Sequence, residues 1–221
     1  MEVREGAVDV STGDVSARAS FRVVTRDLLA GGPVELEFSL ANLKAAPFQI
    51  TVSGDRARSR PGQFSFTALF EDKPLEDPVA RMPYLGGPAG VVEVVIDKPW
   101  RQPLLLNEFV RLEHTVEQLE PGATGKLALT CHRPIDLLHG GEESILTVNL
   151  AFYLQRDDTA LAALVSGLYQ EILHGPPSGR GRSMMLLLSL RSTAHNQIEA
   201  LSRHADAAIA DRARAALKLE S

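Results

Sequence analysis

A single cysteine, Cys131, stands in a chain of 221 residues, so no disulfide can form within it and the fold must be held by its core. One thiol and no disulfide framework fit a reducing compartment. A basic excess is also missing: 23 Lys and Arg stand against 28 Asp and Glu, a net charge of −5. Nucleic-acid binders present a basic stripe, so nucleic acid is not the expected partner. A mildly acidic surface would suit a basic protein partner, although solubility accounts for it more simply. The longest apolar run, Met184 to Leu188, falls far short of the ~20 residues that span a bilayer. The opening MEVREGAVDVSTGD has no apolar stretch of the kind a signal peptide needs. Together these absences predict a cytoplasmic protein with no membrane partner.

Catalytic signatures are missing too. There is no phosphate-cradling GxxxxGK[ST], no GxGxxG, no GxSxG elbow, no HExxH and no paired CxxC. The reading that follows is a non-enzyme with no cofactor and no metal.

What the chain does have is periodicity. Residues 1–16 are small and polar with weak alternation, a loose arm or an edge strand. From Ala17 the alternation sharpens: Ala19, Phe21 and Val23 share one face, with Arg18, Ser20 and Arg22 on the other. After a turn at Gly31-Gly32-Pro33, Val34, Leu36, Phe38 and Leu40 alternate with Glu35, Glu37 and Ser39, the clearest strand signal present. Asn42-Leu43-Lys44 reads as a turn, with 48–52 expected to pair back as a hairpin. Phe64, Phe66, Ala68 and Phe70 alternate again, and further apolar runs occur at 91–96, 103–112, 126–131 and 145–154. That makes about eight strands at short spacing with no helical pattern between them, which argues for an antiparallel β-sandwich over 17–156 rather than βαβ units.

The period changes at Asp158. In DTALAALVSGLYQEILHG the residues Leu161, Leu164, Val165, Leu168, Tyr169, Ile172 and Leu173 fall on one helix face. Asp158 is a candidate N-cap, and Gly175-Pro176-Pro177 the stop. The segment 176–183 reads as a Pro/Gly/Arg hinge before an apolar helix holding Met184 and Met185 in the core. Thr193 and Asp206 are candidate caps for two more helices. The expected class is α+β: an arm over 1–16, a sandwich over 17–156, and three or four short helices over 157–221.

Two resemblances follow. HNQIEALSRHADAAIADRARAALKL (195–219) resembles the second half of a HEAT-type helical repeat through Asp206, Ile209, Ala216 and Leu217, with Ala210 where such repeats often carry Arg. GGPVELEFSLAN (31–42) and LEPGATGKLAL (119–129) resemble bacterial Ig-like or inhibitor-type sandwich modules, which implies a binding or accessory module without a catalytic centre.

Each candidate site residue has a plainer role beside the functional one. Cys131, His132 and His139 have the atoms for a zinc site, but alternation buries Cys131 with Leu127 and Leu129 and turns His132 outward. Glu142-Glu143 and Asp157-Asp158 are adjacent rather than facing, as turn and helix-start acids are. Trp100, Tyr84, Met82 and Phe109 could form a contact surface beside the Pro/Gly-rich connection 71–90, and Arg56, Arg58 and Arg60 a clamp for anionic groups. The leading expectation is a non-enzymatic protein–protein interaction module, one concrete form being an immunity or inhibitor protein that neutralises its partner. The rivals are a hydrolase with a loop-dispersed site built on His114 or His139, and a structural subunit that homo-oligomerises through sheet edges.

Overall fold

The computed structural model describes residues 1–12, 14–53, 63–78, 89–135 and 144–220. The chain is mixed α and β, with antiparallel sheets followed mostly C-terminally by helices. It divides into two compact units. The first comprises Met1–Arg26, Val34–Val110 and Lys126–Tyr153; the second comprises Asp27–Pro33, Arg111–Gly125 and Leu154–Ser221.

Ten strands are present among the described residues, more than the periodicity count suggested. β1 (Glu5–Thr12), β2 (Val15–Val23), β3 (Glu35–Asn42) and β8 (Trp100–Leu105) form one sheet in the order β1-β2-β3-β8. The weakly alternating N-terminus is thus its edge strand. The other edge, β8, carries Pro103, which an edge tolerates because a missing N–H there breaks no interior ladder. In this sheet the apolar residues Ala19, Phe21, Leu36, Phe38 and Leu40 are buried, as the alternation requires. Across the outer face Glu37 binds both Arg22 (3.0 Å) and Arg101 (3.4 Å), exposed pairs that contribute little to stability.

A second sheet runs β10-β9-β5-β6, from β5 (Ser65–Phe70), β6 (Lys73–Leu75), β9 (Thr124–Ile135) and β10 (Ser144–Gln155). Part of the expected long connection after Phe70 is therefore a tight hairpin, closed by Glu71 and Asp72 at positive φ (46° and 62°). Sequence reasoning missed it because such turns usually announce themselves with Asn-Gly or Asp-Gly. Phe64, just before β5, meets Phe21 at 6.0 Å and Phe38 at 5.3 Å, and Phe66 of β5 meets Phe21 at 6.1 Å. At the β1 edge, Val3 bridges Ala151 of β10. Gly6 sits so close to β10 that an added Cβ would lie 2.6 Å from Val148 Cγ1.

The remaining strands, β4 (Phe48–Ser53) and β7 (Ala89–Val94), pair with each other. The expected hairpin between 34–40 and 48–52 does not form. Asn42 explains the departure: its Oδ1 accepts from Lys44 N at 2.9 Å, while its amide donates to Ala46 O (2.8 Å) and Val94 O (3.2 Å). Those bonds fix the turn and tie it to β7 instead.

In the second unit, α1 spans Asp158–His174, α2 Pro177–Ser189, α3 His195–Leu201 and α4 Ala207–Glu220. The N-cap of α1 is Asp157, one residue earlier than expected; its side chain accepts from Ala160 N at 2.9 Å. Asp158 instead binds Arg156 (3.0 Å), whose Nη1 also donates to the carbonyls of Val116 and Leu119. Replacing Asp157 with alanine should cost about 1 kcal/mol in urea unfolding followed by helical circular dichroism.

The expected hinge 176–183 is mostly the start of α2, since Pro177 takes the first helical position, where a missing N–H is harmless. Gly175 ends α1 by closeness rather than by a left-handed turn: its φ is −72°, and an added Cβ would meet Glu171 O at 2.5 Å. Ser183 Oγ donates to Glu171 Oε2 (2.7 Å) across the α1–α2 corner. Met184 is buried, but Met185 is 43% exposed, so only one of the two methionines is core. Asp206 caps α4 as expected, accepting from Ala208 N at 2.9 Å, whereas the α3 cap is Ala194 rather than Thr193. Val165, Leu168, Ile172, Leu187, Leu190, Ile198, Leu201 and Ala213 make one apolar cluster. Among the described residues, no helix is long and apolar enough to cross a membrane.

Candidate functional site

The inward face of β9 runs Leu127, Leu129, Cys131 and then Arg133, all essentially buried. Three apolar residues in this series suit a core; the fourth is an arginine. Arg133 is 1% exposed, the largest fully buried side chain among the described residues. Its guanidinium carbon lies 5.1 Å from the Phe64 ring centroid and 5.9 Å from that of Trp100. The acceptors it reaches are main-chain carbonyls: Nη1 donates to Pro134 O, and Nη2 to Thr51 O at 3.3 Å. Nε has no hydrogen-bond partner, and no described carboxylate is paired with it.

Burial disfavours the cation, and desolvation lowers the Arg133 pKa from its ordinary value to about 10. The group remains protonated at neutral pH. A depression of that size corresponds to about 3 kcal/mol of unfavourable burial. The aromatic faces offset part of this through cation–π attraction, at roughly 1–2 kcal/mol for a desolvated pair. A leucine at this position would face no such penalty.

Trp100 opens β8 opposite Leu40 and is half-buried. Its ring stands edge-on to Phe38, with centroids 5.7 Å apart and planes at 69°. The partly exposed aromatic expected at this strand end is therefore built into a ring cluster with Arg133 behind it.

The other candidate residues divide clearly. Tyr84, Met82, Arg56, Arg58, Arg60, His139, Glu142 and Glu143 lie outside the described residues. Phe109 is 2% exposed and packs on Phe66 at 4.8 Å, so it belongs to the core rather than to a contact surface. Cys131 is fully buried, and desolvation pushes its thiol pKa well above the ordinary range, which leaves it without nucleophilic character. His132 points the other way and approaches Thr147 Oγ1 at 3.2 Å, so the two neighbours on β9 share no site. His114 is exposed in a short 3-10 turn, Leu112–Thr115. Asp157 and Asp158 are occupied by a helix cap and an arginine pair. Among the described residues no group of three His, Cys, Asp or Glu side chains is placed to hold a metal ion. Arg133 was the residue that sequence reasoning missed, and its signal was present: the alternation that buries Cys131 buries Arg133 two residues on.

No protein-family model matches the chain, and no curated protein matches it. Among solved structures, a protein from Archaeoglobus fulgidus aligns over 64% of this chain and 96% of its own, at 15% identity and a TM-score of 0.29. Likeness at that level carries no argument about fold or function.

Proposed function

We propose that this chain is a non-enzymatic protein-recognition module of the cytoplasm. In this reading the two four-stranded sheets close as a β-sandwich of the Ig-like or inhibitor type, and the helices α3 and α4 form a HEAT-like pair. An immunity or inhibitor protein that neutralises a partner is its most concrete form. The observation that carries the reading is the pairing of half-buried Trp100 with Arg133, buried and paired with no carboxylate among the described residues. Tryptophan and arginine are the residues most enriched at the energetic centres of protein interfaces, where a rigid apolar anchor sits beside a directional donor. Keeping a charge where an apolar residue would be more stable is the local conflict expected of a functional site.

The test is affinity capture from the source organism's extract with the wild-type chain and with Trp100→Ala, both verified as folded by circular dichroism. Wild type should retain a discrete protein, and the variant should recover at least ~10-fold less of it, the loss a hot-spot truncation produces. Equal recovery by both chains would contradict the proposal.

A further inference from the structure

We propose that the Arg133 guanidinium is a receptor for a carboxylate, held between the Phe64 and Trp100 rings. This rests on the reading of the Trp100–Arg133 cluster as a recognition site and adds the chemistry that the site takes.

A guanidinium has five N–H groups in a fixed plane and no acceptor. Nη1 and Nη2 each give one to a backbone carbonyl, Pro134 O and Thr51 O, and Nε–H goes to none of the described residues. The two carbonyls orient the plane without neutralising it, because neither carries a formal charge. Nε–H and a remaining Nη hydrogen are left to form the parallel fork that fits a carboxylate with two oxygens. One guanidinium supplies one positive charge, which matches a monoanion; a phosphate dianion calls for additional cations. The flanking rings favour a ligand that brings an apolar stem behind its charged end, as acetate, glutamate and aspartate do.

Arg133 is 1% exposed, while Trp100, against the same guanidinium, is half-buried. A carboxylate reaching the cation therefore changes the surroundings of that ring. Once seated in a site of low dielectric, the ion pair is stronger than one on the surface. Two sources share this chemistry, a free carboxylic acid and the Asp or Glu side chain of a partner protein.

Trp100 is the only tryptophan in the chain, so its emission reports on this site alone. The experiment titrates acetate and, separately, a blocked glutamate (N-acetyl-glutamate amide) into the intact protein at ionic strength held constant with chloride. Acetamide serves as the uncharged control, and the series is repeated on Arg133→Met. The expected result is a saturable change in Trp100 emission with a carboxylate, absent with acetamide, and at least ~10-fold weaker in Arg133→Met. Saturation by both probes assigns a free acid as a sufficient ligand; saturation by the blocked glutamate alone assigns a partner's side chain. No saturable change with either probe, or the same change in Arg133→Met, overturns the inference. Partner capture that survives such a failure would leave the recognition reading standing. A carboxylate response without Trp100-dependent capture would sink that reading instead.

Discussion

Replacing Phe38 with alanine should destabilise the first unit by about 3–5 kcal/mol, the range for truncating a fully buried aromatic. Phe38 is 0% exposed in the middle of β3, between β2 and β8. Its ring meets Phe21 at 4.9 Å, Phe64 at 5.3 Å and Trp100 at 5.7 Å, so one truncation removes three ring contacts at once. Each such contact contributes about 0.5–1.5 kcal/mol beyond simple burial. Collapse around the gap is resisted because Phe38 joins rings of β2 and β8 to that of Phe64, just before β5. Urea unfolding followed by Trp100 emission would show the loss as a lower midpoint, together with an altered emission of the folded state as Trp100 loses its edge-on neighbour. A loss under about 1 kcal/mol would mean that the cluster is loosely packed, contrary to the geometry described.

Leu187→Ala should cost about 2–5 kcal/mol in the helical unit. Leu187 is 0% exposed on α2, within the cluster that gathers α1 residues Val165, Leu168 and Ile172 with Ile198, Leu201 and Ala213 from α3 and α4. Helices as short as α3, His195–Leu201, do not persist by propensity alone and depend on such packing. The loss is read as an earlier thermal transition in circular dichroism at the helical band. An unchanged transition would show that α2 does not organise this core.

How much of this was legible beforehand can be traced to particular residues. The alternation at Ala19-Phe21-Val23 and Leu36-Phe38-Leu40 was decisive because one buried face leaves the strand no choice of register. The helix from Asp158 was equally plain from its apolar face. Local punctuation misled where side chains acted over a distance. Asn42 looked like an ordinary hairpin turn, yet it ties the chain to Val94, 52 residues onward. Pro177 and Gly179 read as a hinge, although a helix accepts proline in its first turn, and Gly179 suits the close approach of Glu171, whose Oε1 would lie 2.6 Å from an added Cβ. The candidate site was half legible. Trp100 is marked by its position between prolines, whereas Arg133 stands beside Cys131 and His132, whose side chains carry the more familiar site chemistry. A charge in phase with a buried series was the signal that should have been weighed.

Arg133 is a buried cation paired with no acid among the described residues. Its pKa is lowered to about 10 in the fold, so below that pH the cation is fully present and its unfavourable burial is felt in full. Above it, the folded chain gives up the proton before the unfolded chain does, and the penalty fades as pH rises. The direct measurement is the unfolding free energy of Arg133→Met against wild type at neutral pH, by urea titration. Methionine fills a similar volume without charge, so the variant should be more stable, by about 1–4 kcal/mol. A loss of about 3–5 kcal/mol, the signature of breaking a buried ion pair, would contradict the account and place a counter-charge within the chain itself.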